Sequence, residues 1–286
     1  MQVDAFTRIP LGGNPCAIVF DADELSDDTM QALAREMNLS ETAFVLRSDV
    51  ADVRARYFTP SEEIPLAGHP TIATIFALAE TERIPPDGER TRVSLELRAG
   101  IVTVDILSHD GVPDSVIMTQ PRPQFLDCAT PEEAATAFGL SSADLHMDGP
   151  VQVVSTGTPQ LMVPLVHLDA LHDLSLDLDA LTVLRARYQF FSAHLFVLES
   201  EGTFARHFAC PPDVFEDPFT GSATGGMGAY LWHYKLLNTP SFTARQGHWM
   251  QRPGEATVTV LGPRDNISGV QVGGSAVTIV RSELVL

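Results

Sequence analysis

Three side chains suited to acid–base chemistry, Glu41, His69 and Asp217, lie beside small residues or sharp turns in this 286-residue chain. Glu41 stands just before the apolar run 43–46. A carboxylate in an apolar pocket has its pKa raised toward neutrality, as is required of a side chain that removes and returns a proton. His69 could donate a hydrogen bond or pass a proton, and Asp217 could orient His69 or bind a substrate amine. The pattern predicts proton transfer on a small molecule.

Each of the three residues also has a purely structural interpretation. Glu41 would then be a solvated loop residue and His69 a helix N-cap. Asp217 precedes Pro218, and aspartate is common in such turns. For His69 and Asp217 both interpretations stay open from these residues alone.

Two glycines, Gly68 and Gly221, are each followed by small and apolar residues that predict the start of a buried helix. The first turn of a helix presents backbone N–H groups and the positive end of the helix dipole, which together bind anions. We therefore expect a small carboxylate as the ligand. The predicted substrate-binding residues are Gly68, Pro70, Gly221, Ser222 and Ala223.

The two halves of the chain repeat one another. Arg56 matches Arg206 and Gly68 matches Gly221, both at an offset of about 150 residues, and other segments match in the same order. Chance alignment of common turns is the alternative. The shared order predicts an ancient duplication in which each lobe presents one helix N-terminus.

The repeat also shows where the two lobes differ in their polar residues. The alignment sets three pairs opposite each other: Glu41 and Ala193, His69 and Ser222, Ile64 and Asp217. Since the scaffold repeats and these polar groups do not, we expect one acid/base on one face rather than a matched pair.

The predicted fold class is α+β, with two pseudo-symmetric lobes that each wrap a curved, mostly antiparallel sheet around one central buried helix. The lobes are placed at 1–120 and 121–286, and the final strands could pack back on the first lobe. Residues 70–80 are apolar nearly all round, which is typical of a helix buried on every side, and residues 222–236 are again rich in small and apolar residues. The cleft where the helix ends face each other is the expected ligand site.

The remaining elements follow from apolar periodicity and turn residues. Ser26 can cap a helix over 26–37, Glu41 falls in the connector that follows it, and Thr130 begins a capping box. Region 165–187 is expected to be loop plus helix, and Pro121-Arg122-Pro123 the crossing between the lobes. The predicted strands are 2–6, 16–20, 43–46, 53–58, 92–98, 101–107, 115–119, 151–155, 194–198, 203–208, 256–261, 268–273 and 276–282.

Composition excludes several classes of function. The formal net charge of −19 gives no electrostatic basis for binding nucleic acid or an anionic membrane.

The three cysteines are widely spaced, and the histidines lack metal-ligand spacing, so neither a disulfide frame nor a metal site is expected. Nucleotide-binding motifs are missing, so neither a nucleotide nor a nicotinamide cofactor is expected. The start of the chain reads as a strand rather than a signal peptide, and the expected location is the cytoplasm.

Several ordered motifs resemble the PhzF-like phenazine-biosynthesis family, which has the diaminopimelate-epimerase-like fold. They are Val3-Asp4-Ala5-Phe6-Thr7, Gly13-Asn14-Pro15, Asn38-Leu39-Ser40-Glu41-Thr42, Phe58-Thr59-Pro60, Gly68-His69-Pro70-Thr71 and Glu216-Asp217-Pro218-Phe219-Thr220-Gly221-Ser222-Ala223. The resemblance covers essentially the whole chain. It implies two lobes, a homodimer, no cofactor, and an isomerase similar to the one that converts trans-2,3-dihydro-3-hydroxyanthranilate.

The resemblance assigns Glu41 as the acid/base, with His69, Asp217 and Ser222 completing the site. Racemases of the same fold place a cysteine at each helix start, where this chain has Ala67 and Thr220. An isomerase acting on a small, possibly cyclic and amino-substituted carboxylate is therefore predicted. An epimerase or lyase, and a binding protein without catalysis, are the alternatives. Phe219 occupies a position expected to be small, which predicts either a reshaped pocket or a ring packed in the core.

Overall fold

The chain divides into two compact units. The computed structural model describes residues 1–146, 148–211 and 215–285. The first unit comprises Met1–Thr119 with Gly273–Leu286, and the second comprises Gln120–Val272. The last strand of the chain pairs antiparallel with the first strand, so the C-terminal strand completes the N-terminal unit.

The first unit contains two α-helices and a short 3-10 helix at Ala22–Glu24. Most of its strands follow one another along the chain without interruption by the second unit. Its elements are β1 (Gln2–Ala5), β2 (Asn14–Val19), α1 (Asp27–Met37), β3 (Glu41–Leu46), β4 (Val53–Phe58), β5 (Glu63–Ile64), α2 (Gly68–Glu80), β6 (Arg90–Leu97), β7 (Gly100–His109) and β8 (Val112–Gln120).

The second unit adds an extra helix after its first strand. Its elements are β9 (Gln124–Cys128), α3 (Pro131–Phe138), β10 (Gln152–Ser155), β11 (Pro159–Leu165), α4 (Leu168–His172), α5 (Leu178–Tyr188), β12 (Ser192–Glu199), β13 (Gly202–Ala209), β14 (Glu216–Asp217), α6 (Gly221–His233), β15 (Ser241–Gln246), β16 (Gly254–Leu261) and β17 (Gly269–Gly274). The final strand, β18 (Ala276–Val280), belongs to the first unit.

Strand pairing repeats from one unit to the other. In the first unit β1 pairs antiparallel with β2 and β18, β2 runs parallel to β3, and β4 runs parallel to β6. In the second unit β10 pairs antiparallel with β11 and β9, β11 runs parallel to β12, and β13 runs parallel to β15. The parallel pairs therefore fall at corresponding places among the mostly antiparallel strands of the two units.

One buried helix lies against the strands of each unit. Helix α2 packs on β1, β2, β3, β7 and β18, and helix α6 packs on β10, β11 and β16. Both helices have 13 residues and are buried along nearly their whole length. The predicted α+β class with a central buried helix is confirmed, although α2 begins two residues earlier than expected and α6 ends at His233 rather than at 236.

The predicted helix caps are present. Ser26 accepts a hydrogen bond from the Thr29 backbone and caps the start of α1, and Asn38, in the left-handed region, caps its end after Met37. Thr130 and Glu133 form the reciprocal capping box that begins α3. These local signals fixed both helix starts to within one residue.

Several strands were missed by the sequence analysis. Strand β11 carries prolines at 159 and 164, which argue against a strand, and β15 mixes polar and apolar residues. Strand β9 directly follows the proline-rich crossing. Region 165–187 contains α4 and most of α5, as expected for loop plus helix.

The length and the apolar character of a helix decide whether it can span a membrane. Across residues 1–146, 148–211 and 215–285, every helix falls short of the length and apolarity that crossing a bilayer demands.

Candidate active site

Glu41 and His69 meet in the first unit. His69 Nε2 lies 3.2 Å from Glu41 Oε2, with the His69 side chain 5% exposed and the Glu41 side chain 18% exposed. Glu41 was expected in a connector but is the first residue of β3, held by its parallel register with Cys16 of β2. His69 is the second residue of α2. A strand end and a helix start thus bring the two predicted residues together.

His69 is held from its other side by Asn14. The Asn14 Nδ2 atom lies 3.1 Å from His69 Nδ1, in a buried contact. Burial lowers the pKa of His69 to about 3, so the imidazole is neutral at pH 7. A neutral imidazole can accept the Asn14 amide at Nδ1 and donate its single proton from Nε2 to a carboxylate. Sequence analysis did not select Asn14, although the Gly13-Asn14-Pro15 motif had marked its surroundings.

The starts of α2 and α6 lack a capping side chain. Ala67 precedes α2, and the Thr220 side chain makes no capping hydrogen bond to α6. The first backbone N–H groups of a helix have no partner within the helix, which suits them to bind an anion. The predicted binding residues occupy these first turns: Gly68 and Pro70 in α2, and Gly221, Ser222 and Ala223 in α6.

Asp217 belongs to a polar cluster within the second unit. It lies in β14, opposite His207 of β13, and is buried. Its carboxylate accepts a short hydrogen bond from the Thr220 hydroxyl, and its backbone carbonyl accepts one of 2.7 Å from Gln246 Nε2. The role predicted for Asp217 in orienting His69 stays a prediction.

Buried amides also hold the first turn of α6. Gln160 Nε2 donates to Ser222 Oγ at 3.0 Å, and Gln120 Nε2 donates to the Gly221 carbonyl at 2.7 Å. Thr156 in turn donates to Gln120 Oε1 at 2.6 Å. None of these three residues was predicted from the sequence, because a buried amide or hydroxyl has no local pattern and its partners are far away along the chain.

The duplication extends to side-chain contacts. Arg56 forms a two-pronged ion pair with Glu63, and Arg206 forms the same pair with Glu216 at nearly identical distances. In both cases the guanidinium also lies over the phenylalanine two residues later in the strand. The matching contacts confirm the predicted equivalence of Arg56 and Arg206.

One predicted equivalence is wrong by a residue. Thr42 pairs with Phe58, and Ala193 pairs with the equivalent Phe208, so Ala193 corresponds to Thr42. The counterpart of Glu41 is therefore Ser192, which is fully buried. The sequence match had aligned two apolar runs with a slip of one residue, and such a slip exchanges the two faces of a strand.

The second polar difference was predicted correctly. Tyr57 pairs with Ile64, and His207 at the corresponding position pairs with Asp217. Asp217 thus replaces Ile64 on an otherwise shared turn. The two units carry different polar groups on the same backbone plan.

The packing of Phe219 and the arrangement of possible metal-binding side chains were both predicted from the sequence. Phe219 is fully buried, as expected for a ring packed in the core. Within the part of the chain that the structure describes, no group of three or more histidine, cysteine, aspartate or glutamate side chains is arranged to hold a metal ion.

Comparison with known proteins relates nearly the whole chain to one protein family. A family model described as phenazine biosynthesis-like protein, PhzC-PhzF, matches residues 3–282. A trans-2,3-dihydro-3-hydroxyanthranilate isomerase from Pseudomonas aeruginosa is 35% identical over 276 residues, which cover 96% of this chain and 94% of that protein.

Two solved structures resemble the chain along its full length. A PhzF-family phenazine biosynthesis protein from Bacillus anthracis has a TM-score of 0.89 and 34% identity, covering 100% of this chain and 98% of that one. A predicted epimerase from Pseudomonas aeruginosa has a TM-score of 0.85 and 32% identity, with the same coverage.

Proposed function

Because this chain belongs to the PhzC-PhzF family of phenazine biosynthesis-like proteins and is an isomerase of that family, we propose that it moves a proton on a small carboxylate-bearing metabolite, with Glu41 as the acid/base. The proposed substrate class is cyclic and amino-substituted, similar to the compound named for the Pseudomonas aeruginosa relative. The observation that carries the proposal is the contact of 3.2 Å between Glu41 and a buried His69.

Glu41 acts alone as the proton carrier. The carboxylate removes a proton from a substrate carbon, so that a C–H bond breaks and an O–H bond forms on Glu41. The Glu41 carboxyl, which exchanges its proton with solvent water, then delivers a proton to another carbon as the double bond moves. The low pKa of His69, about 3, prevents the imidazole from taking this proton at neutral pH, so the Glu41 carboxyl either exchanges its proton with solvent or returns it to the substrate.

His69 serves as a neutral hydrogen-bond donor in this scheme. A donor directed at a carboxylate stabilises its charged form and fixes the direction of its lone pairs. Since Asn14 contacts the opposite ring nitrogen, the ring is held in one orientation while the charge on Glu41 changes.

The substrate's other groups are assigned to the remaining predicted residues. The backbone N–H groups of Gly68 and His69 at the start of α2, and of Gly221–Ala223 at the start of α6, are proposed to bind carboxylate. Pro70 has no N–H and is proposed to shape the α2 end of the site. Asp217 is proposed to bind a substrate amine as its counter-charge. No cofactor takes part in this proposal, and the homodimer and the cytoplasmic location implied by the resemblance also remain proposals.

The duplication argues against an epimerase that uses two acid/base residues. The counterparts of Glu41 and His69 are Ser192 and Ser222, whose hydroxyls are poor general bases at neutral pH. The presence of Glu41, His69 and Asp217 together argues against a binding protein without catalysis. One carboxylate that both removes and returns the proton agrees best with these residues.

Hydrogen–deuterium exchange into substrate carbon tests the proposal. NMR in deuterated water would follow a panel of cyclic and amino-bearing carboxylates that includes trans-2,3-dihydro-3-hydroxyanthranilate. Wild type should introduce deuterium, Glu41→Gln should not, and Glu62→Gln, a change at an exposed carboxylate, should match wild type. The proposal fails if Glu41→Gln retains near wild-type exchange, or if the panel binds to wild type without any exchange.

A further inference from the structure

Gln246, the last residue of β15, holds the turn that carries Asp217. Its Nε2 donates to the Asp217 backbone carbonyl at 2.7 Å, and its Oε1 accepts from the Thr220 backbone N–H at 3.1 Å. The orientation of the amide is fixed because one end must donate to a carbonyl while the other accepts from an N–H. Gln246 is only 1% exposed, so these bonds are made away from solvent.

The amide is also linked to the Asp217 carboxylate through Thr220. Gln246 Nε2 lies 3.3 Å from Thr220 Oγ1, and that hydroxyl donates to Asp217 Oδ2. A threonine hydroxyl has one proton, and donation from Nε2 to its oxygen directs that proton toward Asp217. The direction of the Asp217 carboxylate therefore depends on Gln246 at two points, one on the backbone and one on the Thr220 side chain.

The first unit builds the same turn without these polar groups. Leu95 pairs with Val53 in the first unit, and Ala244 pairs with the corresponding Thr203 in the second. Leu95 therefore corresponds to Ala244. Leu97, two residues later, corresponds to Gln246. The positions of Asp217 and Thr220 hold Ile64 and Ala67. The turn therefore forms with an apolar set of residues, and its fold does not require the Gln246 amide.

We propose that Gln246 is a positioning residue, which orients the Asp217 carboxylate through Thr220 for recognition of the substrate's amino group. This inference rests on the proposed role of Asp217. Gln246 acts through its neighbours rather than on the substrate. Its hydrogen bonds are made to the turn that carries Asp217, whereas the corresponding turn of the first unit has Ile64 in place of the aspartate.

The first test needs no substrate. NMR of the Asp217 side-chain carboxyl carbon would be recorded across pH for wild type, Gln246→Leu, Thr220→Val and the double variant. A hydroxyl donor stabilises the ionised carboxyl, so its loss in Thr220→Val should move the titration midpoint upward. Gln246→Leu should move it the same way, and the double variant should shift it by less than the sum of the two single shifts, because one of the two links from Gln246 to Asp217 passes through the Thr220 hydroxyl.

The inference is overturned if the Gln246→Leu signal titrates as in wild type, or if the two single shifts simply add. Gln246→Met, which keeps the length of the side chain, gives the same comparison should the leucine variant fail to fold.

The second test separates positioning from a general structural effect. With a substrate found in the exchange panel, Gln246→Leu should raise KM about tenfold for the amine-bearing compound, the effect expected from one weakened charge-assisted contact. The KM for an analogue without the amine should be unchanged. Equal losses on both compounds overturn the inference, while an absence of exchange in wild type would count against the proposed function and leave the NMR result standing.

Discussion

His69 Nε2 and Glu41 Oε2 lie 3.2 Å apart, and the imidazole is nearly fully buried. Because burial holds the pKa of His69 near 3, this contact joins a carboxylate to a neutral imidazole rather than to a cation. A cation would have strongly stabilised the carboxylate and made it a poor base. A neutral ring stabilises the carboxylate less than a cation would and so leaves it the stronger base.

Removing the His69 donor should slow proton transfer without abolishing it. For His69→Phe we expect the rate of deuterium exchange to fall about tenfold to a hundredfold, whereas His69→Gln, which retains an N–H donor, should lose less. The measurement is the exchange rate at saturating substrate, with circular dichroism to verify folding. If both variants lost activity as completely as Glu41→Gln, His69 would itself be carrying the proton.

Three buried neutral histidines should make folding stability depend on pH. Burial lowers the pKa of His69 and of His207 to about 3, and burial lowers that of His194 well below its usual value. The unfolded chain binds these protons near pH 6.5 and the folded protein does not. Their contribution to stability is therefore complete above pH 6.5 and is lost progressively as the pH falls toward 3, at about 1.4 kcal/mol per pH unit for each proton.

Urea denaturation between pH 7.5 and 5 would measure this slope. His207→Tyr, which introduces the residue found at the corresponding Tyr57, should reduce the slope by about one proton. His109→Asn removes an exposed histidine and should leave it unchanged. A stability that is constant between pH 7.5 and 5 would contradict the burial of the three neutral rings.

Strong local signals made much of the fold predictable. The apolar character of α2 and α6 and the glycines at their starts identified the two central helices, and the motifs around Glu41, His69 and Asp217 identified the family and the epimerase-like fold class, both now confirmed. The isomerase class is confirmed at the level of the family. The roles of individual site residues remain predictions.

The errors came from features that depend on distant residues. Glu41 was matched to Ala193 because the apolar runs look alike, and only strand register shows that Ser192 is its counterpart. Asn14 and Gln246 were missed because their partners lie far from them along the chain. A buried amide in a sequence gives no sign of what it will contact.

Two adjacent glycines of α6 allow a matched test of how Gln120 supports the helix start. A Cβ at Gly225 would lie 2.0 Å from Gln120 Oε1, whereas a Cβ at Gly226 would lie 2.9 Å from the terminal methyl of Met162. Gln120 is held by bonds to the Gly221 carbonyl and to Thr156, so it has little freedom to move. The methionine tip is flexible and can give way.

Gly225→Ala should therefore destabilise the protein by about 1–3 kcal/mol, the usual range for overpacking a rigid site. For Gly226→Ala, the gain of about 0.5–1 kcal/mol from replacing a helical glycine should offset most of the strain. Urea denaturation of both variants gives the comparison, and NMR of the Ser222 amide should show a larger displacement in Gly225→Ala because Gln120 holds that turn. Equal losses in the two variants would mean that Gln120 yields as readily as Met162, and that the first turn of α6 keeps its shape without it.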